Sequence, residues 1–158
     1  MPGQLSQKER MLLQDQLQHE ELCVQKYTKY ADATQCPELK QIFQTHASHE
    51  QQHYNTLNQI LSGQVPNINQ GQQSQQSQQK MGGTQSQPGK SYDQNDAIMA
   101  NDMLTTEKYI SGTYDTTIFE CRDSNIRQAL NHIQKEEQQH GEDLFNYMQA
   151  NGMYNVQS

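Results

Sequence analysis

The chain has few apolar residues and no long apolar run. Hydrophobic residues make up 32% of its 158 positions and charged residues 18%, with glutamine and asparagine common among the rest. Runs such as Met11-Leu12-Leu13 are too short for a membrane-spanning helix or for the core of a signal peptide, so we expect neither. A chain of this length can form one domain, but its interior must be a narrow apolar seam.

Clustered basic residues and closely paired cysteines are also missing. The net charge is −7 and no group of five or more Lys and Arg occurs, so nucleic acid is not expected as a partner. Cys23, Cys36 and Cys121 form no Cys-x-x-Cys pair, which excludes a zinc knuckle and a thioredoxin-type motif. We expect free thiols in a protein that is made and first kept inside the cell.

Two stretches, 9–62 and 93–150, show helical periodicity and predict two helical hairpins within a single domain over 1–158. Steps of three and four residues, typical of helices in a bundle, define four apolar seams. The first two seams are Leu13, Leu17, Glu20, Val24, Tyr27 and Ala31, then Leu39, Phe43, His46, Glu50, His53, Leu57 and Ile60. The other two are Ala100, Leu104, Glu107, Ser111, Tyr114 and Ile118, then Ile126, Leu130, Ile133, Glu137, His140, Leu144 and Tyr147. The segment 63–92 between the hairpins is rich in Gln, Ser and Gly without an apolar period, which predicts a flexible crossover.

The two hairpins align without gaps at an offset of 87 residues. Identical pairs include Asp15/Asp102, Leu17/Leu104, Glu20/Glu107, Tyr27/Tyr114, the four positions of Glu-Gln-Gln-His, and Leu57/Leu144. The identities concentrate in the seams, so the sequence predicts an all-α bundle of four helices made by internal duplication of a hairpin.

Two copies of Glu-x-x-His carry the main chemical signal. Residues three apart share a helix face, so each motif presents a carboxylate and an imidazole in one direction. Another glutamate stands thirty positions before each motif, and this combination is the ligand set of di-iron and di-manganese carboxylate bundles. The predicted ligands of two Fe or Mn ions are Glu20, Glu50, His53, Glu107, Glu137 and His140. Glu50 and Glu137 would be shared, and Tyr27 and Tyr114, two turns along the same seams, would donate hydrogen bonds to ligands.

An alternative interpretation of these seams involves no metal. Four unpaired carboxylates in a core would each cost several kcal/mol, and metal ions would neutralise them. A wet interior with hydrogen-bonded carboxylic acids, or a site that has lost its metal, would also accommodate them. Outside the ligand set, His19, His49 and His132 are predicted to be solvated and His46 to be a packed, hydrogen-bonded core residue. The flanking residues Glu21, Glu136 and Glu142 are predicted to lie on the charged outer face.

The second hairpin is similar to a known family over 95–156. The resemblance rests on Asp102-Met103-Leu104, Glu107-Lys108-Tyr109, the run from Ile133 to Glu142, Tyr147-Met148 and Gly152-Met153-Tyr154. These segments resemble the Coat F family, ferritin-like spore coat proteins of endospore-forming Firmicutes. The first hairpin, with Leu39-Lys40 and its Glu-Gln-Gln-His, resembles the more degenerate N-terminal half of family members.

The resemblance implies a ferritin-like bundle with a long crossover and a structural role, and it implies no established reaction. The protein would pass from the mother-cell cytoplasm into the spore coat, with other coat proteins and further copies of itself as partners. Two hypotheses concern intermolecular crosslinks, one through Cys36 and Cys121 and one between connector glutamines and Lys80 or Lys90. The alternatives are two unreactive thiols and a connector that is only a solvated tether. The alternative is a ferritin-like metalloenzyme or metal buffer, acting as a ferroxidase, a peroxide scavenger or a manganese-catalase-like protein. The lack of a nucleophilic triad or phosphate loop favours the structural role.

Overall fold

The computed structural model describes residues 4–66 and 92–155, and within them the chain forms four helices and no strand. The helices are α1 (Gln7–Ala33), α2 (Pro37–Leu61), α3 (Gln94–Glu120) and α4 (Ser124–Ala150). The predicted all-α class is confirmed. Helix α3 begins 87 residues after α1, and α4 begins 87 residues after α2. Almost all of the predicted crossover lies outside the described residues. None of the four helices combines the length and the apolar character that crossing a membrane requires.

Local sequence explains where the helices begin and end. Ser6 caps α1 in a reciprocal box with Glu9, and Asp93 accepts two backbone N–H groups at the start of α3. Pro37 occupies the first turn of α2, where its missing N–H is not needed. After α4, Gly152 takes a φ of 72°, the left-handed conformation that favours glycine at a helix end.

The four helices form a bundle in which α1 neighbours α2 and α3, and α4 neighbours the same two. Helices α1 and α3 are antiparallel, because Thr34 at the end of α1 bonds to Asp96 at the start of α3, at 2.6 Å. The end of α2 lies beside the start of α1, where Arg10 donates to the carbonyl of Leu61, so α1 and α2 are antiparallel as well. Helices α2 and α3 therefore run in the same direction. The end of α2 and the start of α3 are thus separated by about 36 Å along α1.

All predicted seam residues of α2 and α4 are buried, whereas in α1 the buried residues differ from the predicted seam at two positions. Leu17 and Val24 are partly exposed, and Gln16 and Cys23 are buried in their place. The side-chain amide of Gln16 donates to the hydroxyl of Thr117 on α3, at 3.1 Å. This bond satisfies the amide inside the core, so a polar residue can occupy a seam position there.

Helix α3 also buries neighbours of two predicted seam residues in place of those residues. Ile110 and Thr117 are buried, whereas the predicted seam residues Ser111 and Ile118 are only partly buried. Six of the seven buried positions of α1 have a buried counterpart in α3 at the offset of 87 residues, the exception being Ala31, whose counterpart Ile118 is partly buried. The two hairpins are therefore equivalent in which faces they bury, although most side chains differ.

An ion pair between the buried Glu9 and the exposed side chain of Arg122 ties the start of α1 to the turn between α3 and α4. Glu9 is 3% exposed, and its carboxylate accepts from the backbone N–H of Arg122 at 2.8 Å and from the guanidinium at 3.1 Å. Burial alone would raise the pKa of Glu9, but the bonds from Arg122 and Ser6 outweigh it and lower the pKa to about 2. No pattern in the sequence predicts this contact, because it joins residues 113 positions apart.

The cysteines carry free thiols, and two of them lie at opposite ends of the bundle. Cys36 precedes α2 and accepts a hydrogen bond from the hydroxyl of Tyr147, at 3.4 Å. Cys121 ends α3 and is 2% exposed, and burial raises the pKa of its thiol to about 11. The two thiols cannot meet within one chain. A bond between subunits at Cys121 would require the helix end to open, and half-buried Cys36 is the more accessible thiol.

Candidate metal centre

The six predicted ligands meet in the middle of the bundle, and each helix contributes at least one of them. All six are buried, with at most 2% of any residue exposed. They form two clusters, in each of which the candidate ligand atoms lie within 4.8 Å of one another. The clusters are Glu20, Glu50, His53 and Glu137, and Glu50, Glu107, Glu137 and His140. Glu50 and Glu137 belong to both clusters, which is the arrangement expected of shared carboxylates.

Both histidines turn the same ring nitrogen toward the carboxylates. The Nδ1 atom of His53 lies 3.0 Å from Glu137 Oε1 and 3.3 Å from Glu50 Oε2. The Nδ1 atom of His140 lies 2.9 Å from Glu50 Oε1 and 3.3 Å from Glu107 Oε1. Each imidazole thus contacts the motif glutamate of the opposite hairpin through Nδ1, and its Nε2 atom points away from the carboxylates of the candidate ligands.

Two tyrosines hold the remaining glutamates from across the bundle. The hydroxyl of Tyr27 donates to Glu107 at 2.5 Å, and that of Tyr114 donates to Glu20 at 2.5 Å. Both tyrosines are fully buried, and burial next to carboxylates raises the pKa of each hydroxyl well above its usual value. Both therefore remain donors, as the sequence predicted, and each bonds to the glutamate of the other hairpin.

Removing one of these hydroxyls is expected to destabilise the metal-free protein. The variant Tyr27→Phe leaves the buried Glu107 carboxylate without its shortest hydrogen bond, which costs about 1–3 kcal/mol. Urea unfolding monitored by circular dichroism measures this change. Tyr109→Phe is the matched control, because Tyr109 is 65% exposed and should change stability by less than about 0.5 kcal/mol. Equal effects of the two variants would contradict the assigned role of Tyr27.

In the absence of ions, protons compensate the charges of the centre. Burial and adjacent carboxylates raise the pKa of Glu50 and of Glu107 to about 8. Burial would lower the pKa of His53 and His140, but the surrounding carboxylates outweigh it and raise both values well above normal. For Glu20, burial is outweighed by the adjacent Glu50 and His53 side chains and by the hydrogen bond from Tyr114, and the pKa falls to about 2. The centre at neutral pH therefore combines protonated and ionised carboxyl groups with two imidazolium ions.

The residues present fit a pair of metal ions. Within the described part of the chain, Glu20 Oε2, Glu107 Oε2 and Glu137 Oε2 are buried and accept no hydrogen bond. Buried carboxylate oxygens without partners are unusual, and all three belong to the two clusters. Four carboxylates and two imidazoles are oxygen and nitrogen donors of the kind that iron and manganese accept.

Two residues that contact the ligand histidines were wrongly predicted to be solvated or on the outer face. His49 is half-buried, with its Nδ1 atom 3.0 Å from His140 Nε2 and the two rings stacked. The Glu136 side chain is 19% exposed, and its Oε1 atom lies 3.7 Å from His53 Nε2. Burial would raise the pKa of Glu136, but His53 outweighs it and lowers the value to about 2. Each of these residues immediately precedes the glutamate of a Glu-x-x-His motif. This position is the sequence signal that could have indicated their contact with the ligands.

The prediction for His46 is confirmed. This residue is 1% exposed, its Nε2 atom lies 3.0 Å from Asp143 Oδ2, and its ring stacks on His140 at a centroid distance of 4.1 Å. Burial and the nearby His140 lower the pKa of His46 to about 3, and the same causes lower the pKa of His49. Both are neutral imidazoles at pH 7. The other two histidines lie at the periphery, where His132 is half-exposed and His19 contacts the ring of Tyr109.

Comparison with known families supports the resemblance of the second hairpin. Residues 95–157 match the Coat F domain. The Coat F match contains α4, all of α3 after its first residue, and three of the candidate ligands, Glu107, Glu137 and His140. No match was found among curated proteins or among solved structures. The resemblance of the first hairpin to the same family stays a prediction.

Proposed function

We propose that this protein is a component of the bacterial spore coat and folds as a ferritin-like bundle that binds two iron or manganese ions. The match of residues 95–157 to the Coat F domain supports the coat assignment. The ferritin-like assignment rests on four helices in which α2 and α4 each carry a Glu-x-x-His motif and α2 runs in the same direction as α3. Other coat proteins and further copies of this chain are the proposed partners.

The observation that carries the metal proposal is the meeting of six buried ligand groups in two clusters with two shared members. Glu20 and His53 would hold one ion, Glu107 and His140 would hold the other, and Glu50 and Glu137 would contact both. A bound pair of this kind supplies redox chemistry with oxygen or peroxide. The surrounding residues keep bulk water out of the centre, and the two tyrosines fix the outer glutamates.

The second candidate function is a metal-dependent oxidoreductase or metal buffer in the coat. The complete ligand set favours it, because a scaffold alone has no need of four buried carboxylates. An oxidoreductase and a metal buffer both require that the centre binds metal, so a single experiment tests them together, whereas the coat role does not depend on its outcome.

The metal content of protein purified without chelator tests the proposal. The expected result is about two iron or manganese ions per chain, lost in the variant Glu50→Gln/Glu137→Gln, because both clusters share these residues. The control is Glu21→Gln/Glu142→Gln, which removes the same charge from exposed positions and should retain both ions. Metal-free protein in all three samples, with wild-type folding by circular dichroism, would contradict metal binding and leave the coat role.

Extraction of purified spores tests the coat assignment. Antibodies against the chain should detect it in the detergent-soluble or crosslinked coat fraction of mature spores. Detection only in the mother-cell lysate would contradict the assignment. Comparing reduced and non-reduced extracts tests disulfides between subunits, since a band of monomer size alone in both would argue against them.

A further inference from the structure

The two halves of the metal centre have identical ligands but different outer surroundings. The six ligands and the two tyrosines are the same residue types at the offset of 87 residues. His49 and Glu136 occupy equivalent positions at that offset and have different chemistry. His46 corresponds to Ile133, and Thr45 corresponds to His132. The duplication has therefore kept the ligands while the residues behind them have diverged.

His49 and Glu136, which differ in chemistry, each lie next to the Nε2 atom of a ligand histidine, the ring nitrogen that points away from the other ligands. Across the bundle, His49 Nδ1 lies 3.0 Å from His140 Nε2, and Glu136 Oε1 lies 3.7 Å from His53 Nε2. The Nε2 atom of His53 is buried and has no hydrogen-bond partner within the described residues, so the Glu136 carboxylate is the group placed to accept its proton. Glu136 is in turn held by His132, with Nε2 2.5 Å from Oε1.

A carboxylate and a neutral imidazole affect a metal-binding histidine differently. An anion that accepts the outward N–H makes the ring a stronger donor to the metal, and loss of such a partner typically lowers metal affinity about 10–100-fold. A neutral imidazole in the same place orients the ring but adds no negative charge. His46, stacked on His140, is also neutral. Within the described residues, the carboxyl groups at ion-pair distance from the His140 ring all belong to the candidate ligands.

We infer that the two metal positions are inequivalent and that the position at Glu20 and His53 binds its ion first and more tightly. Glu136 is the positioning residue that creates the difference, and His49 is its weaker counterpart at the other position. The inference rests on the proposed metal binding and specifies how the two ions are taken up. The shared residues Glu50 and Glu137 contact both positions and cannot by themselves distinguish them.

Titration of the metal-free, full-length protein with Mn²⁺, followed by the electron paramagnetic resonance of the free ion, tests this order. Glu136→Gln should weaken the first binding step about tenfold or more, because it removes the anion behind the tighter position. His49→Gln should leave the first step unchanged and weaken only the second. His49→Glu should strengthen the second step and bring the two steps together.

Glu142→Gln is the control, because it removes the same charge from an exposed position on the same helix, and both steps should remain. Circular dichroism of each metal-free variant shows that folding is retained. If the two positions were equivalent, Glu136→Gln would leave an intact position for the first ion, so an unchanged first step in this variant overturns the inference. Wild-type protein that takes up no Mn²⁺ would instead overturn the proposed metal binding itself.

Discussion

Raising the pH from about 6.5 to about 8 is expected to destabilise the metal-free protein by about 3 kcal/mol or more. In the folded state Glu50 and Glu107 have pKa values of about 8, whereas the ordinary value is 4.5. The folded state therefore holds protons that the unfolded state has already released. This stabilisation is fully present below the ordinary pKa and is lost as the pH rises through the folded value.

The two ligand histidines act in the same direction, since their pKa values are raised above 6.5 in the fold. His46 and His49 oppose the trend only weakly, because their folded-state pKa values are lowered and the unfolded histidines lose their remaining protons just above pH 6.5. Urea unfolding of chelator-treated protein across this range measures the effect.

The variant Glu50→Gln/Glu107→Gln is the control for the pH effect, because its side chains are similar in size and do not titrate. Its stability should depend much less on pH, and a wild-type stability that is constant or rises with pH would contradict the prediction. Metal ions must displace the same protons, so the affinity for Mn²⁺ should increase over the range in which the metal-free protein weakens.

The variant Phe43→Ala is expected to lower the free energy of unfolding by about 3–5 kcal/mol. Phe43 is fully buried, and its ring packs against Tyr27 and Tyr30 at centroid distances of 5.9 and 6.0 Å. Truncation removes this contact area and leaves a cavity beside the tyrosine that holds Glu107. Denaturant unfolding at a pH of about 6.5, where the metal-free protein is more stable, measures the change.

Phe119→Ala is the matched control for this substitution. Phe119 is 89% exposed, so the same change of residue should alter stability by less than about 0.5 kcal/mol. Similar losses in the two variants would mean that the core is not packed as described. A loss at Phe119 alone would indicate that this exposed ring is covered by a partner in solution.

Sequence reasoning predicted α2 and α4 correctly because each combines an apolar repeat with a Glu-x-x-His motif, and both signals agree on the same face. In α1 the apolar residues Leu17 and Val24 favoured a phase that the bundle does not use. Gln16 is buried instead because hydroxyl groups on α3 satisfy its amide, and Thr117 lies 101 residues away in sequence. No pattern within a single helix reveals such a partner.

Four of the candidate ligands, the two Glu-x-x-His pairs, could be found from spacing within one helix, since i and i+3 geometry depends only on the helix itself. Glu20 and Glu107 could be found because each stands thirty positions before a motif. The contacts of His49 and Glu136 depend on how α2 and α4 are aligned with each other. In the structure His49 lies opposite His140, and His53 lies opposite Glu136. That alignment is set by packing of the whole bundle. The pattern within a single helix therefore predicts these two residues to face solvent.

The exchange of contacts between the hairpins has a consequence for the origin of the chain. Tyr27 of the first hairpin holds Glu107 of the second, Tyr114 of the second holds Glu20 of the first, and each cluster includes a glutamate from the opposite hairpin. A lone hairpin of this kind would leave its glutamates and histidine exposed along one open face. An ancestor with a single hairpin would have needed a second copy of itself, related by a two-fold axis, to bury them. Fusion of the two copies into one chain would then have freed the residues behind the ligands to diverge.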